Sequence, residues 1–363
     1  MKRLSLLALV ATVTAGVALW SSASAPAVAA KTPSAVDGQT AADAQKPAET
    51  QPLADVQKTA DTQTADGTIE QKRSYRNGQP FVTREMRSDG KDKLVENGNF
   101  ASFYPGSRPD AQGMYVDGQK SGHWKYWFPN GVLEAEGDYD AGVPHGAWTF
   151  RQEGGNRSME GAFDHGKPTG EWTYFNVLND AQQAHGRFEN GLMEGPWTFW
   201  SQDGTKSEEG AFHLGLEEGP WTEYHADGKV ARTGNYHAGL REGRWVNTHP
   251  NGTKASEGDY HADREQGEWS YFRTDGSLEQ RGSYADGLEN GAWTIAGADG
   301  KPLETGNYRA GKADGAWTSY HANGQKRAAG EYKRGLAQGA WTYWSEDGKE
   351  LPRQTFELGR RPK

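Results

Sequence analysis

The sequence predicts an all-β fold, an elongated and twisted antiparallel meander of stacked hairpins, each about 24 residues long. Three observations carry this prediction. Tryptophan recurs at a fixed interval from residue 124 to residue 341. Each of these tryptophans has a glycine two residues before it. Asn-Gly or Asp-Gly pairs fall at one phase between the aromatic runs, where a chain reversal is needed.

Composition narrows the function classes. The 363 residues include 48 Gly and 14 Trp, with apolar residues at 34%, so one large aliphatic core is excluded. Aromatic residues at 11% argue equally against a disordered chain. With no Cys, disulfides, thiolate metal sites and cysteine nucleophiles are ruled out. A net charge of −9 points away from nucleic acid, which selects basic surfaces.

The chain opens with Lys2 and Arg3, an apolar run from Leu4 to Leu19, and small residues ending Val28-Ala29-Ala30. Residues 1–30 therefore read as a signal peptide cleaved near Ala30, which makes the protein exported, periplasmic or secreted. Residues 31–70 contain no aromatic side chain and are rich in Ala, Thr, Gln and Pro. Val36, Leu53, Val56 and Ile69 form no stripe, so a disordered tether is expected there. Residues 71–119 read as degenerate N-terminal repeats forming a cap, in which Tyr75-Arg76-Asn77-Gly78 and Tyr115-Val116-Asp117-Gly118 keep only a Tyr-x-x-Gly fragment.

Residues 120–363 hold ten clear repeats. Their tryptophans are Trp124, Trp148, Trp172, Trp197, Trp221, Trp245, Trp269, Trp293, Trp317 and Trp341, spaced by 24 residues with a single 25. Counting from each Trp, a second aromatic follows at +15, or +16 in the repeat with the insertion: Tyr139, Tyr236, Tyr260, Tyr284, Tyr308 and Tyr332, with Phe163, Phe188, Phe212 and Phe356 at the same phase. These two sets form the expected structural core. A type I′ turn at the Asn/Asp-Gly pair, +6 and +7, pairs Trp with the Gly at +13. A type II′ turn beginning at the Gly at +18 pairs the +15 aromatic with the Gly before the next Trp. In this register every core ring faces a glycine on both sides, and rings cover bare backbone. Another row at +3 falls on the opposite face: Trp127, Phe175, Trp200, Tyr224, Phe272, Tyr320 and Trp344. Cross-strand packing or a binding face would both use such a row.

The repeat Gly-x-Trp-x-x-Tyr-x-x-Asn/Asp-Gly-x5-Gly-x-Tyr-x-x-Gly, as in Gly315 through Gly335, resembles the MORN repeat in the bacterial variant found in YwqK-like proteins. The resemblance covers about 120–363 and, more weakly, 75–118. It implies hairpins stacked into a twisted sheet, and binding in place of catalysis: protein scaffolding, membrane-proximal roles, and an antitoxin label for the YwqK-like members. Choline- and glucan-binding repeats of cell surfaces share the Gly-x-Trp-x-Tyr flavour, which keeps a glycan ligand in view.

No active site is legible. His213, His237 and His261 share one phase and His225, His249 and His321 another. Equivalent places in adjacent repeats lie about 9.6 Å apart, too far for one zinc ion, so solvent-facing histidines and no metal are expected. Gly161 to Lys167 spells Gly-x4-Gly-Lys, but Pro168 stands where a phosphate loop has Ser or Thr. Glu208, Glu209, Glu217 and Glu218 read as solvated residues near turns. The expectation is a non-enzymatic exported repeat protein with no cofactor, acting as a protein-interaction platform in the cell envelope. A cell-wall or glycan binder using the +3 aromatics is the alternative. An antitoxin-like binder ranks third, because a leader peptide points away from a cytoplasmic toxin.

Overall fold

The computed structural model describes residues 56–91 and 93–360. The signal-peptide reading and the first part of the tether therefore lie outside the described residues. The fold class is the expected one. The described residues form 25 strands and no helix. The chain divides into two compact bodies, one ending at Thr169 and one beginning at Gly170. Within each, strands pair antiparallel with their sequence neighbours, as in β1 (Val56–Gln63) with β2 (Ile69–Tyr75) in the first and the last pair, Leu336–Trp344 with Glu350–Phe356, in the second.

Strand β1 falls in the stretch that composition assigns to the tether. It contributes no aromatic core. Its backbone pairs along β2, and Arg73 reaches Asp61 at 2.7 Å. Ladder hydrogen bonds do not depend on side-chain hydrophobicity, so composition alone cannot detect a polar edge strand.

The ring-over-glycine pairing is the repeat's central contact. Gly137 lies opposite Trp148, and a Cβ added to Gly137 would sit 2.2 Å from the indole Cδ2. The same geometry recurs at Gly186 under Trp197 (2.2 Å), Gly234 under Trp245 (2.1 Å) and Gly258 under Trp269 (2.1 Å). Any other residue at these places would lift the ring off the sheet. The indole N–H then donates to the carbonyl of the residue after that glycine, as from Trp148 to Asp138 at 3.0 Å and from Trp245 to Asn235 at 3.1 Å. A phenyl ring has no such donor, which accounts for Trp at this phase. Burying one indole removes roughly 200 Å² from water, on the order of 5 kcal/mol before entropy. The hydrogen bond adds about 1 kcal/mol. Burial thus supplies most of the energy and the hydrogen bond sets the ring's orientation. The +15 aromatics wedge edge-on between successive indoles: Tyr236 meets Trp221 at 5.6 Å and 80°, and Trp245 at 5.2 Å and 84°.

The turns differ from the expected types. At the Asp-Gly pair of the Trp197 repeat, Ser201 N–H donates to Thr205 O (2.8 Å) and Gly204 N–H to Ser201 O (3.0 Å). Gly204 has φ +86, while Asp203 is not in the left-handed region. This is a type I turn closed by a glycine bulge. Asp203 fits because its carboxylate accepts the Thr205 N–H at 2.9 Å, a bond that stabilises an ordinary type I conformation. The bulge absorbs one residue, so Trp197 still faces Gly210 as expected.

The type I′ turn is instead at the other end of the repeat. Leu214 and Gly215 both take positive φ, 52 and 81, as do Ala141 and Gly142 at 46 and 82. This corrects the type II′ assignment and one consequence of it. The +15 aromatic does not face the glycine before the next Trp, since Tyr139 pairs with Pro144. Gly146 sits in a bulge at φ +71; across the next ladder it pairs with Phe163 as expected, but no ring atom lies within 4 Å of where its Cβ would be. The two glycine sets therefore have different work: those at +13 make room, and those before Trp supply a backbone conformation.

The N-terminal repeats also shift in phase. Gly98 (φ +116), Phe100 and Gly113 occupy the Gly, Trp and +13 places, and Trp124 covers Gly113. Tyr75 to Gly78 forms the type I and bulge turn, so Tyr75 stands at +4 and not at +15. Gln71 then occupies the Trp place, buried, accepting a hydrogen bond from Arg84 Nε at 3.1 Å.

The glycine beneath a ring and the glycine two residues before that ring should respond oppositely. Gly234→Ala is expected to cost about 1–3 kcal/mol in urea unfolding of the full chain through overpacking, and Gly234→Asn more. At Gly243, where φ is +67 and the space is open, Ala is expected to cost more than Asn, because Asn tolerates the left-handed region. The same ranking of Ala and Asn at both sites would contradict the assignment.

Candidate functional site

The +2 residues, on the indole face, escaped the sequence reading. Where they are aromatic they stack or tilt over their own Trp: Trp148–Phe150 at 5.5 Å and 21°, Trp197–Phe199 at 5.9 Å and 21°, Trp172–Tyr174 at 6.3 Å and 31°. Residues at 0 and +2 point the same way in a strand. The signal was present as the aromatic pairs Tyr126, Phe150, Tyr174, Phe199, Tyr271 and Tyr343 at one phase.

In the Trp221 and Trp245 repeats the +2 place is polar and its cross-strand partner fills the gap. Glu223 pairs with Arg232 at 2.5 Å, and the Arg232 guanidinium lies 5.4 Å from the Trp245 ring. Asn247 donates to Ser256 at 2.8 Å. The Trp317 repeat has the smallest pair, Ser319 opposite Ala328. Nine of the ten repeat tryptophans are buried, and Trp317 is half-buried. An open cleft of about 560 Å³ results. Its floor is Tyr308, Trp317, Tyr332 and Trp341, and Tyr343 forms one wall. Glu304 and Arg327 bring opposite charges to the rim, 3.6 Å apart, and Arg327 Nε also reaches Ser319 Oγ at 3.3 Å. An aromatic floor with a charged rim can stack a flat or ring-shaped group and hydrogen-bond its edge.

The +3 row is less open than a binding face requires. Phe175 is buried, and Trp127, Trp200, Tyr224, Phe272, Tyr320 and Trp344 are half-buried. Lysines lie over several of these rings, with Lys206 5.7 Å from Tyr224, Lys254 5.7 Å from Phe272 and Lys326 5.9 Å from Trp344.

The two histidine sets behave differently from each other. His225, His249 and His321 are half-buried, with Nε2 at 3.0, 2.8 and 2.8 Å from the carbonyls of Thr248, Phe272 and Trp344. A carbonyl only accepts, so Nε2 carries the proton and each ring ties one repeat to the next. The solvent-facing expectation is thus corrected for this set. His213, His237 and His261 are exposed and meet Glu194, Glu218 and Glu242 at 3.1, 3.0 and 3.0 Å. The second carboxylate oxygen accepts the backbone N–H of Leu214, Ala238 or Ala262. Glu218 therefore belongs to a bracket, and Glu209 to a contact with Lys206 and Tyr224. The Gly161–Lys167 stretch is a strand end and a type I′ turn at His165-Gly166.

In the first body, Lys120 was also missed. Its ammonium lies 4.7, 5.0 and 5.1 Å from the rings of Trp124, Tyr126 and Tyr139, and donates to Tyr126 Oη at 2.8 Å. Burial pushes its pKa down to about 8, partly opposed by Asp110.

The hydrogen bond from His237 to Glu218 raises the imidazole pKa above its ordinary 6.5. The Glu218 carboxyl is lowered below 4.5, first by the Ala238 N–H and then by His237. The histidine contribution is complete below pH 6.5 and fades as pH rises through the raised value. The glutamate contribution is complete above pH 4.5 and fades as pH falls through the lowered value. An NMR titration should place the His237 midpoint above 6.5, and Glu218→Gln should return it toward 6.5. An unchanged midpoint in the variant would contradict the bracket.

Comparison with known proteins agrees with the repeat geometry. The MORN repeat variant family model matches residues 120–141, 217–238 and 313–334. No curated protein matches. Among solved structures, one similar chain is in the crystal structure of TcdB2-TccC3, at 10% identity and a TM-score of 0.17. The match covers 83% of this chain and 16% of that one, so the chain spans a small part of that protein's length. The stretches matched by the family model, 120–141, 217–238 and 313–334, are MORN-variant repeats.

Proposed function

We propose that the protein is a non-enzymatic, exported repeat protein that serves as an interaction platform for a protein partner in the cell envelope. One observation carries this reading. The aromatic face is largely consumed by internal packing along the repeats, and among the ten repeat tryptophans it opens over the half-buried one, Trp317, flanked by Ser319 and Ala328. A partner's aromatic or aliphatic side chain fits on that floor, with Glu304 and Arg327 available to its polar neighbours. The matched MORN-variant repeats are consistent with a role in mediating interactions. Polar residues recur by phase through the repeats, as the Glu–His brackets do, and this favours a surface over a catalytic centre.

A glycan is the second reading, favoured by the same ring-floored cleft, since sugars stack on aromatic faces and hydrogen-bond to charged rims. It relocates the glycan site from the +3 row to the Trp317 cleft. An antitoxin-like role has no geometric feature of its own in support.

The test is to fill the cleft. Ser319→Phe should close it as Phe150 and Phe199 close the corresponding places. Capture from envelope extracts by the wild-type chain should retain a specific protein, and Ser319→Phe should reduce that retention roughly tenfold, the loss of one central anchor. Retention of polysaccharide alone, lost in the variant, would replace the protein reading with the glycan one. Protein capture unaffected by Ser319→Phe and by Trp317→Ala would contradict the cleft as the site.

A further inference from the structure

We propose that the turn edge of β8 (Val143–Arg151) and β9 (Arg157–Asp164) carries a zinc-class metal site built from His145, Asp164 and His165, with Asp140 behind it. The proposal starts from a break in the repeat pattern. Three repeats place Glu three residues before Trp and His at +16, and each pair closes the bracket described above. In the Trp148 repeat the types are exchanged. His145 stands in the Glu place, Asp164 in the His place, and a second imidazole, His165, follows at once. This repeat thereby collects two imidazoles and a carboxylate where the others hold one of each.

The geometry suits one small cation. A ligand atom from each of the three residues lies within 4.8 Å of the others. His145 Nδ1 is 3.6 Å from Asp164 Oδ1, and His165 Nδ1 is 2.7 Å from the same oxygen. The two rings are 5.3 Å apart at 62°. A tetrahedral zinc with ligands near 2.1 Å needs ligand atoms separated by about 3.4 Å. The first distance already meets this. The second is a hydrogen bond whose proton leaves when the ion enters, after which a small side-chain rotation opens the gap. All three side chains are exposed, with 46% to 70% of their surface accessible, so nothing blocks that rotation.

The framework is fixed while the ligands adjust. His165 is the first residue of a type I′ turn, held at φ 45, with Gly166 at 81. Asp140, on the end of the preceding hairpin, approaches His165 Nε2 at 3.9 Å. It can accept that N–H once Nδ1 is committed to a metal, the arrangement that orients metal-bound histidines. Two carboxylates balance a divalent charge. Two imidazole nitrogens and one carboxylate oxygen favour zinc, copper or nickel over calcium or magnesium.

The test uses the full chain, stripped of metal and titrated calorimetrically with zinc chloride. About one equivalent should bind, and calcium should not compete. His145→Gln and His165→Gln should each weaken zinc binding roughly tenfold or more, with unchanged circular dichroism, since both side chains are exposed. His237→Gln, in the bracket, should leave binding unchanged. Asp164→Asn supplies a second ligand variant that keeps the imidazoles. No zinc uptake, uptake undiminished in the ligand variants, or equal loss in His237→Gln would overturn the site.

Discussion

Everything in this architecture depends on an indole lying flat against a glycine of the preceding strand. With the +13 Cβ absent, the ring of Trp148 or Trp245 approaches the backbone to a distance that no side chain would permit. That approach buries the largest side chain without a second layer of structure behind it. A sheet ordinarily needs another sheet or a helix to cover its apolar face. Here rings from the same sheet do so, and the +15 aromatics fill the spaces between them edge-on. The scarcity of aliphatic residues and the abundance of glycine follow from this one contact.

The constraint also dictates where irregularity is allowed. Repeats such as that of Trp197 have a bulge at both ends: one closes the Asn/Asp-Gly turn, and the other carries the glycine before Trp. Together they keep the Trp-to-glycine register. The edges away from the indole contact are free to vary. There the repeats carry Glu–His brackets, the exchanged His145–Asp164–His165 set, and histidines that tie one repeat to the next. Variation inside the indole face has consequences of another kind. Replacing a +2 ring by Ser319 opens the face, while replacing it by Glu223 opposite Arg232 leaves it filled.

Much of the fold was legible because the same contact is written ten times. Period, strand count per repeat and the Trp-to-glycine pairing all follow from the positions of Trp and Gly. Turn type was less legible, since Asn-Gly serves both a type I′ turn and a type I turn with a bulge, and only φ at the Asn or Asp separates them. Polar strand β1 and the Gln71 repeat lacked the aromatic signal altogether. The candidate cleft was illegible for a further reason. It is defined by small residues, Ser319 and Ala328, and a search for functional side chains passes over residues that act by being small. The metal-class cluster was missed because its members are split between two strands and a turn, 19 and 20 residues apart along the chain as His145 is from Asp164 and His165.

The most direct measurement of the central claim is a double-mutant cycle between Gly258 and Trp269, read by urea unfolding of the full chain. Gly258 is an ordinary strand residue with no positive φ, so alanine is conformationally acceptable there, and its cost must come from the ring 2.1 Å from the new Cβ. The account predicts that Gly258→Ala is strongly destabilising beside Trp269 and nearly neutral in a Trp269→Leu background, giving a coupling of about 1–3 kcal/mol. An alanine cost that stays the same when the indole is gone would contradict it.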